Sequence, residues 1–477
     1  MSANLIRLQQ PTDFLASLRD IVGASHVITA PADMAAYLQE PRDLWHGRAL
    51  CVVKPANTRE VAALAALCNR EGRKIVPQGG NTGLVGGQIP DASGEQIVLS
   101  LNRLNRVREI DLGSNTITVE AGLTLAAVQA AASAQDRLFP LSLASEGSCT
   151  IGGNLATNAG GTAVLAYGNA RDLVIGIEVV LADGRILNGL SKLRKDNTGY
   201  DLRNLFIGSE GTLGIITAAV LKLFPRPRAT ETAFVGLASP SRCLDLLTLT
   251  QARLGGALKT FEFMPAIGLD MVASAHPGLH RPLPGSHAWY VLLELTSAAE
   301  TGLGDKLLAL LQEAAESGVA EDAAIATSLA QRGVFWQWRE WLPDAQQPAG
   351  ASIKHDVAVP VADVPGFLDA AMQTVQQVIP GARPVPFGHL GDGNIHFNVS
   401  QPLGADRDAF LARWEELNAA IHALVAARHG SISAEHGVGV LKRDLLPGFK
   451  DPVALEVMRT LKQTFDPRGT LNPGKVL

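Results

Sequence analysis

Apolar residues recur at helical spacing at Phe14, Leu15, Leu18 and Ile21, and Gly23 ends that stripe, so the chain is predicted to open on a helix. Residues 49–53 form an unbroken apolar run, which reads as a buried strand. Asn57 and Glu60 then form a capping pair for a helix carrying Val61, Leu64, Ala65, Leu67 and Cys68, with Gly72 as its stop and residues 74–77 as a second strand. A strand, helix and strand within thirty residues predict a parallel βαβ unit. From 97 to 119 strand-like runs alternate with polar turns; 125–134 reads as an Ala-rich helix, and 174–181 with 185–187 as a hairpin about Ala182-Asp183-Gly184. Pro225-Arg226-Pro227 marks a domain boundary, because two prolines so close interrupt helix and ladder alike. Beyond it, strands at 232–236 and 288–295 mix with helices at 243–253 and 303–315. This order predicts an antiparallel sheet with helices on one face, an α+β arrangement. Residues 407–428 read as one long helix and 452–465 as another.

Three glycine-rich clusters interrupt the pattern. The first, 78–87, has five glycines in ten residues, enough to let successive N–H groups converge on an anion. It matches neither the dinucleotide GxGxxG spacing nor a P-loop. The second runs from Ser142 to Gly161 and the third from Gly199 to Ile216. Small residues in such runs let a flat ligand approach the main chain, and three clusters in one domain predict one long ligand threaded through it.

Different chemistry gathers in the sequence Pro386-Phe-Gly-His-Leu-Gly-Asp-Gly-Asn-Ile-His-Phe-Asn398 and in Ala434-Glu-His-Gly-Val-Gly439. The Asp-Gly within the first predicts a tight turn feeding a strand. Two imidazoles, His389 and His396, with the carboxylate of Glu435 make an open site for a divalent cation, and His436 is left free to move protons.

Composition narrows the class. The chain has 477 residues, 47% of them apolar and 18% charged, with a net charge of −5, as expected for two or three well-packed domains with no nucleic-acid partner. The first ten residues lack the apolar core of a signal peptide, no run is long enough to span a membrane, and Cys51, Cys68, Cys149 and Cys243 form no pairing pattern. These features predict a cytoplasmic protein.

At its glycine clusters the chain resembles the flavin-binding domain of the vanillyl-alcohol oxidase and p-cresol methylhydroxylase superfamily. From Pro386 onward it resembles that superfamily's FAD-dependent D-2-hydroxy acid dehydrogenase branch, which includes D-2-hydroxyglutarate and D-lactate dehydrogenases. The tail, Phe465-Asp-Pro-Arg-Gly-Thr-Leu-Asn472-Pro-Gly474, carries the same likeness. The resemblance implies an N-terminal helical segment (1–44), a two-subdomain FAD-binding domain (45–225), an antiparallel-sheet substrate domain (226–405) and a helical C-terminal segment completing the active site (406–477). It implies noncovalent FAD, since no His stands in the first glycine loop. The FAD contacts would be Pro77, Gly79, Gly80, Asn81, Thr82, Gly83, Leu84, Ser142, Ser145, Gly147, Gly152, Gly153, Asn154, Asn158, Gly160, Gly161, Glu210, Gly214, Ile215 and Asn472. By the same likeness His389, His396 and Glu435 hold zinc, manganese or iron, His436 is the catalytic base, and Arg339, Lys354 and Asn398 bind the acid. Where the branch places a hydroxyl residue four positions after that Arg, this chain has Pro343. The implied reaction oxidises a D-2-hydroxy acid, D-2-hydroxyglutarate first, to the 2-oxo acid, passing electrons to an electron-transfer flavoprotein or quinone from a homodimer. D-lactate or glycolate dehydrogenase is the alternative within the branch, and a metal-dependent hydrolase the alternative outside it.

Overall fold

Asn57 and Glu60 cap one another as their spacing predicts. The Asn57 side chain accepts from Glu60 N at 3.0 Å, while the Glu60 carboxylate accepts from Ala56 N and Asn57 Nδ2, each at 2.7 Å. The helix they start, Thr58–Glu71, closes on Gly72 in the left-handed conformation, φ 69°. In this computed structural model, which describes residues 13–477, that helix joins strands Cys51–Val53 and Ile75–Gln78. Both strands pair in parallel with Ile97–Ser100, which lies between them, and Val27–Ile28 adds an antiparallel edge. The βαβ unit is therefore real, with a later strand inserted at its centre. The first ten residues, on which the signal-peptide reading rests, lie outside the described residues.

A second, five-stranded antiparallel sheet runs in the order Val107–Asp111, Thr116–Glu120, Ile215–Lys222, Val174–Val180, Ile186–Gly189. The predicted hairpin supplies its last two strands, turning at Gly184 with φ 87°. The glycine clusters lie in the connections between and around these two sheets.

The third sheet has seven strands, all antiparallel, in the order Asp322–Ile325, Ala229–Leu237, Trp289–Ser297, Leu258–Pro265, Arg383–His389, Asn394–Ser400, Ser352–Ala358. Its helices cover both faces, not one. Val235, Phe263 and Leu293 pack on one side with helices Pro240–Leu254, Leu303–Glu316 and Val364–Val378; Phe234, Met264 and Leu292 pack on the other with Ala266–Ala275 and Leu329–Glu340. Both alternating sets of side chains are apolar here, so neither face can be left to water. The single helix expected over 407–428 is two, Arg407–Leu411 and Trp414–Ala426. No Gly or Pro signals the break; Arg413 occupies it and donates to Val378 O at 2.8 Å and to Glu416 at 2.6 Å. All four cysteines are buried and free.

Candidate active site

Strands Arg383–His389 and Asn394–Ser400 form a hairpin around Leu390–Asp392 and Gly393, the latter left-handed at φ 79°. Asp392 steadies the turn by accepting from Asn394 N at 3.1 Å. Register then sorts the chemistry. His396 pairs with Phe387 and with Asp356, Asn398 pairs with Lys354, and His389 pairs with Glu262. With a period of two, Glu262, His389, His396, Asn398, Asp356 and Lys354 all project from one face of the large sheet.

Glu435 reaches this face from the segment that follows helix Trp414–Ala426. Its carboxylate oxygens lie 3.7 Å from His389 Nε2 and 3.8 Å from His396 Nε2. One ligand atom from each of the three residues falls within 4.8 Å of the others. These gaps exceed hydrogen bonds and suit a cation drawn in at about 2.0–2.2 Å from each atom. The donor set, two imidazoles and one carboxylate, has the chemistry of an open divalent site. His389 Nδ1 is directed away onto Glu262 Oε1 at 2.6 Å, which leaves Nε2 facing the gap. Burial pulls the His389 imidazole down, but Glu262 and Glu435 outweigh it and hold it up at about 9. Burial lifts the Glu435 carboxyl to about 7 against the pull of His389, and burial together with the His389 charge pushes His396 well down.

A second triplet, Asp356, Glu435 and His436, is equally close. Asp356 is already committed, however. Its Oδ2 accepts from the backbone N–H of Glu435 and of His436, each at 3.0 Å, and its Oδ1 from Asn394 Nδ2 at 3.0 Å. Its Oδ2 also lies 3.3 Å from His436 Nδ1. Burial opposes its charge, yet His436, Lys442 and His396 hold its carboxyl far below the usual range. The His436 imidazole is lowered by burial, against the attraction of Asp356.

Two cavities meet here. A cleft of about 550 Å³ is lined by sixteen of the twenty residues expected to bind FAD: Pro77, Gly79, Gly80, Asn81, Thr82, Gly83, Leu84, Ser145, Gly152, Gly153, Asn154, Gly160, Glu210, Gly214, Ile215 and Asn472. Ser142 and Gly161 instead face the adjoining cavity of about 930 Å³, and Gly161 packs directly on Ser142 O. Gly147 and Asn158 line neither; nothing packs near the Cα of Gly147, and the Asn158 side chain accepts from Arg171 N. The larger cavity holds Arg339, Lys354, Asn398, His389 and His396. Leu84, Val85, Leu143, Ala144, Glu435 and His436 line both. A Cβ on Gly160 would lie 3.4 Å from Glu435 Oε1, so the glycine cleft comes directly against the Glu435 carboxylate.

The cleft fits a dinucleotide-sized flavin. Nine glycines are among its lining residues, and buried oxygens at Asn81 Oδ1, Thr150 Oγ1 and Asn472 Oδ1 have no protein partner. Residues 226–476 match the family of FAD linked oxidases, C-terminal domain, and residues 49–189 match the FAD binding domain family. The chain is 38% identical over 472 residues to the mitochondrial D-2-hydroxyglutarate dehydrogenase of Bos taurus, covering 98% of this chain and 83% of that one. It is 36% identical over 460 residues to the D-2-hydroxyglutarate dehydrogenase of Xanthomonas citri pv. viticola, covering 96% of each.

The chain belongs to the FAD-linked oxidases, in their hydroxy acid dehydrogenase branch.

Membership in this family sets aside the metal-dependent hydrolase. The fold agrees: p-cresol methylhydroxylase superposes with a TM-score of 0.76 at 15% identity, covering 97% of this chain and 96% of that one. Like other members of the family, the protein takes FAD and a small hydroxy acid. Among the described residues no helix is long and apolar enough to cross a membrane.

Sequence reading missed Glu262 and the role of Asp356. Glu262 is fully buried, accepting from His389 on one oxygen and from Arg339 Nε at 2.8 Å on the other. Its only sequence signal is a lone acid between Phe261 and Phe263 in an apolar strand.

Proposed function

We propose that the protein oxidises D-2-hydroxyglutarate to the 2-oxo acid, with His389, His396 and Glu435 holding a divalent cation, zinc by its donor set, and with His436 as the base. The observation that carries this reading is the convergence of these four side chains in the larger cavity, with Glu435 and His436 also lining the flavin cleft.

A divalent cation at His389, His396 and Glu435 supplies Lewis acidity that lowers the pKa of a substrate hydroxyl. FAD held by the glycine-lined cleft would supply a hydride acceptor for the oxidation at C2. The remaining work falls to this chain's own residues. His436 takes the hydroxyl proton; its lowered pKa keeps the imidazole neutral and able to accept near pH 7. Asp356 lies beside Nδ1 to steady the imidazolium that results. Arg339 is anchored through Nε to Glu262 and stacked 4.8 Å over the Phe387 ring, which leaves its terminal nitrogens for a carboxylate. Lys354 and Asn398 face the same space and orient the acid with it.

In the same reading the domains divide at 44/45, 225/226 and 405/406, the electrons pass to an electron-transfer flavoprotein or quinone, and the enzyme works as a cytoplasmic homodimer. Pro343 favours a second reading, D-lactate or glycolate as substrate, because it removes a hydroxyl from the acid cavity. Anaerobic titration of the yellow protein with D-2-hydroxyglutarate, D-lactate and D-malate tests both: the preferred acid bleaches the flavin fastest. His436→Ala should keep flavin and metal yet cut turnover by about a hundredfold or more. Chelation should abolish bleaching and zinc or manganese restore it. Full activity in a protein shown to be metal-free by elemental analysis would remove the cation from the reaction.

A further inference from the structure

Six carboxylates line the larger cavity, Glu146, Glu294, Glu340, Asp344, Asp356 and Glu435, yet three of the cations beside them form no ion pair among the described residues. Six cationic side chains line it: Arg42, Lys259, Arg332, Arg339, Lys354 and Lys442. Lys259 and Arg332 are paired with Glu294 at 2.8 and 2.7 Å, and Arg339 with Glu262 at 2.8 Å. Arg42, Lys354 and Lys442 make no ion pair among the described residues, and Lys442 Nζ is buried without any hydrogen-bond partner. Charges recessed in this way are costly unless an anion joins them.

Arg42 is held in place by a built turn. Glu40, only 2% exposed, accepts from Arg42 N at 2.8 Å and from Leu44 N at 2.7 Å, and its carbonyl accepts from Asp43 N at 3.0 Å. The segment leading into the turn is fastened to the first glycine loop. Asn81 Nδ2 donates to Ala36 O and Gln39 O at 3.0 and 2.9 Å, and Gln78 Nε2 donates to Tyr37 O at 2.9 Å. Consecutive residues then serve different cavities, Pro41 the flavin cleft and Arg42 the acid cavity. The acids facing Arg42 are Glu40, occupied by the turn, and Asp356, occupied by the Glu435–His436 backbone.

We propose that Arg42 and Lys354, in the field of Lys442, bind the second carboxylate of a dicarboxylic 2-hydroxy acid and set the preference for dicarboxylic over monocarboxylic substrates. The inference rests on the reading of the site as a 2-hydroxy acid centre, in which the reacting end of the substrate lies at His389, His396, Glu435 and His436. The far end then falls toward the unpaired cations.

The test uses the FAD-bound, metal-loaded protein. Flavin reduction is measured with D-2-hydroxyglutarate and D-lactate in the wild type, Arg42→Met and Arg42→Lys, and glutarate binding is read separately from its perturbation of the flavin spectrum. Arg42→Met should lower the ratio of kcat/KM for D-2-hydroxyglutarate over D-lactate by about tenfold or more and weaken glutarate binding to a similar extent, with Arg42→Lys recovering part of both. An unchanged ratio and unchanged glutarate affinity in Arg42→Met overturn the inference while leaving the hydroxy acid reading intact. A wild type that prefers D-lactate also overturns it. Failure of the wild type to reduce its flavin with either acid would instead sink the underlying reading.

Discussion

Glu262 Oε1 lies 2.6 Å from His389 Nδ1, a contact between residues 127 apart in sequence that ties a ligand of the proposed cation to the interior of the sheet. The other Glu262 oxygen accepts from Arg339, so one buried carboxylate orients both the His389 imidazole and the Arg339 guanidinium. Glu262→Gln must point an amide N–H at one of two donors. Cation affinity should fall about tenfold to a hundredfold, and KM for the acid should rise with it. Competition with a chromogenic chelator and steady-state kinetics measure the two effects; no change in either would reduce Glu262 to a packing residue.

Asp356 should act through its charge as well as its hydrogen bonds. Asn at this position can still accept from the Glu435 and His436 N–H groups but offers no negative charge to the imidazolium formed when His436 takes a proton. Asp356→Asn should therefore lower kcat by about a hundredfold with a much smaller change in KM. Flavin content, read from the visible spectrum, should stay near that of the wild type. A variant with wild-type kcat would show that the charge is dispensable.

What could be read from the sequence was local. The Asn57–Glu60 cap, the Gly184 turn and the Asp392-Gly393 corner each announce themselves within four residues, and glycine clusters declare where the backbone must be bare. His389, His396, Glu435 and His436 stand out by residue type. Glu262 does not, because its partners are set by the register of strands Leu258–Pro265 and Arg383–His389, which no local pattern encodes. Arg42 is silent for the same reason: its place in the cavity depends on Glu40 folding the turn and on Asn81 fastening the preceding segment. Insertion of Ile97–Ser100 between the two βαβ strands and burial of both faces of the large sheet are likewise decided by packing partners distant in sequence.

Glu294 gives a pH dependence of stability. Burial opposes its charge, but Lys259, Arg332 and the Trp336 indole N–H together hold its carboxyl below the ordinary range. A folded-state value below the unfolded one means that the ion-pair contribution is present above the usual glutamate pKa and is lost as pH falls through the depressed folded value. Glu294→Gln should lose stability near neutrality and show a shallower decline between about pH 6 and pH 3 than the wild type. Urea midpoints across that range test this, and parallel pH profiles for the two proteins would contradict it.

Glu210 couples the glycine-rich cleft to the loop that carries Glu435 and His436. Its carboxylate accepts from Val438 N at 2.6 Å and Gly439 N at 2.8 Å, while its own carbonyl accepts from Asn472 Nδ2 at 2.8 Å. Gly437, left-handed at φ 80°, lets the loop come this close, since a Cβ there would lie 2.6 Å from Glu210 Oε1. Glu210→Ala would leave two recessed N–H groups unpaired, at a cost of about 1–3 kcal/mol, and would free the loop holding Glu435 and His436. Activity and cation affinity should then fall further than flavin content does, and Gly437→Ala should move the same quantities in the same direction by pushing on the contact from the opposite side. Parallel loss of flavin and activity in Glu210→Ala would assign this carboxylate to the cofactor instead of the loop.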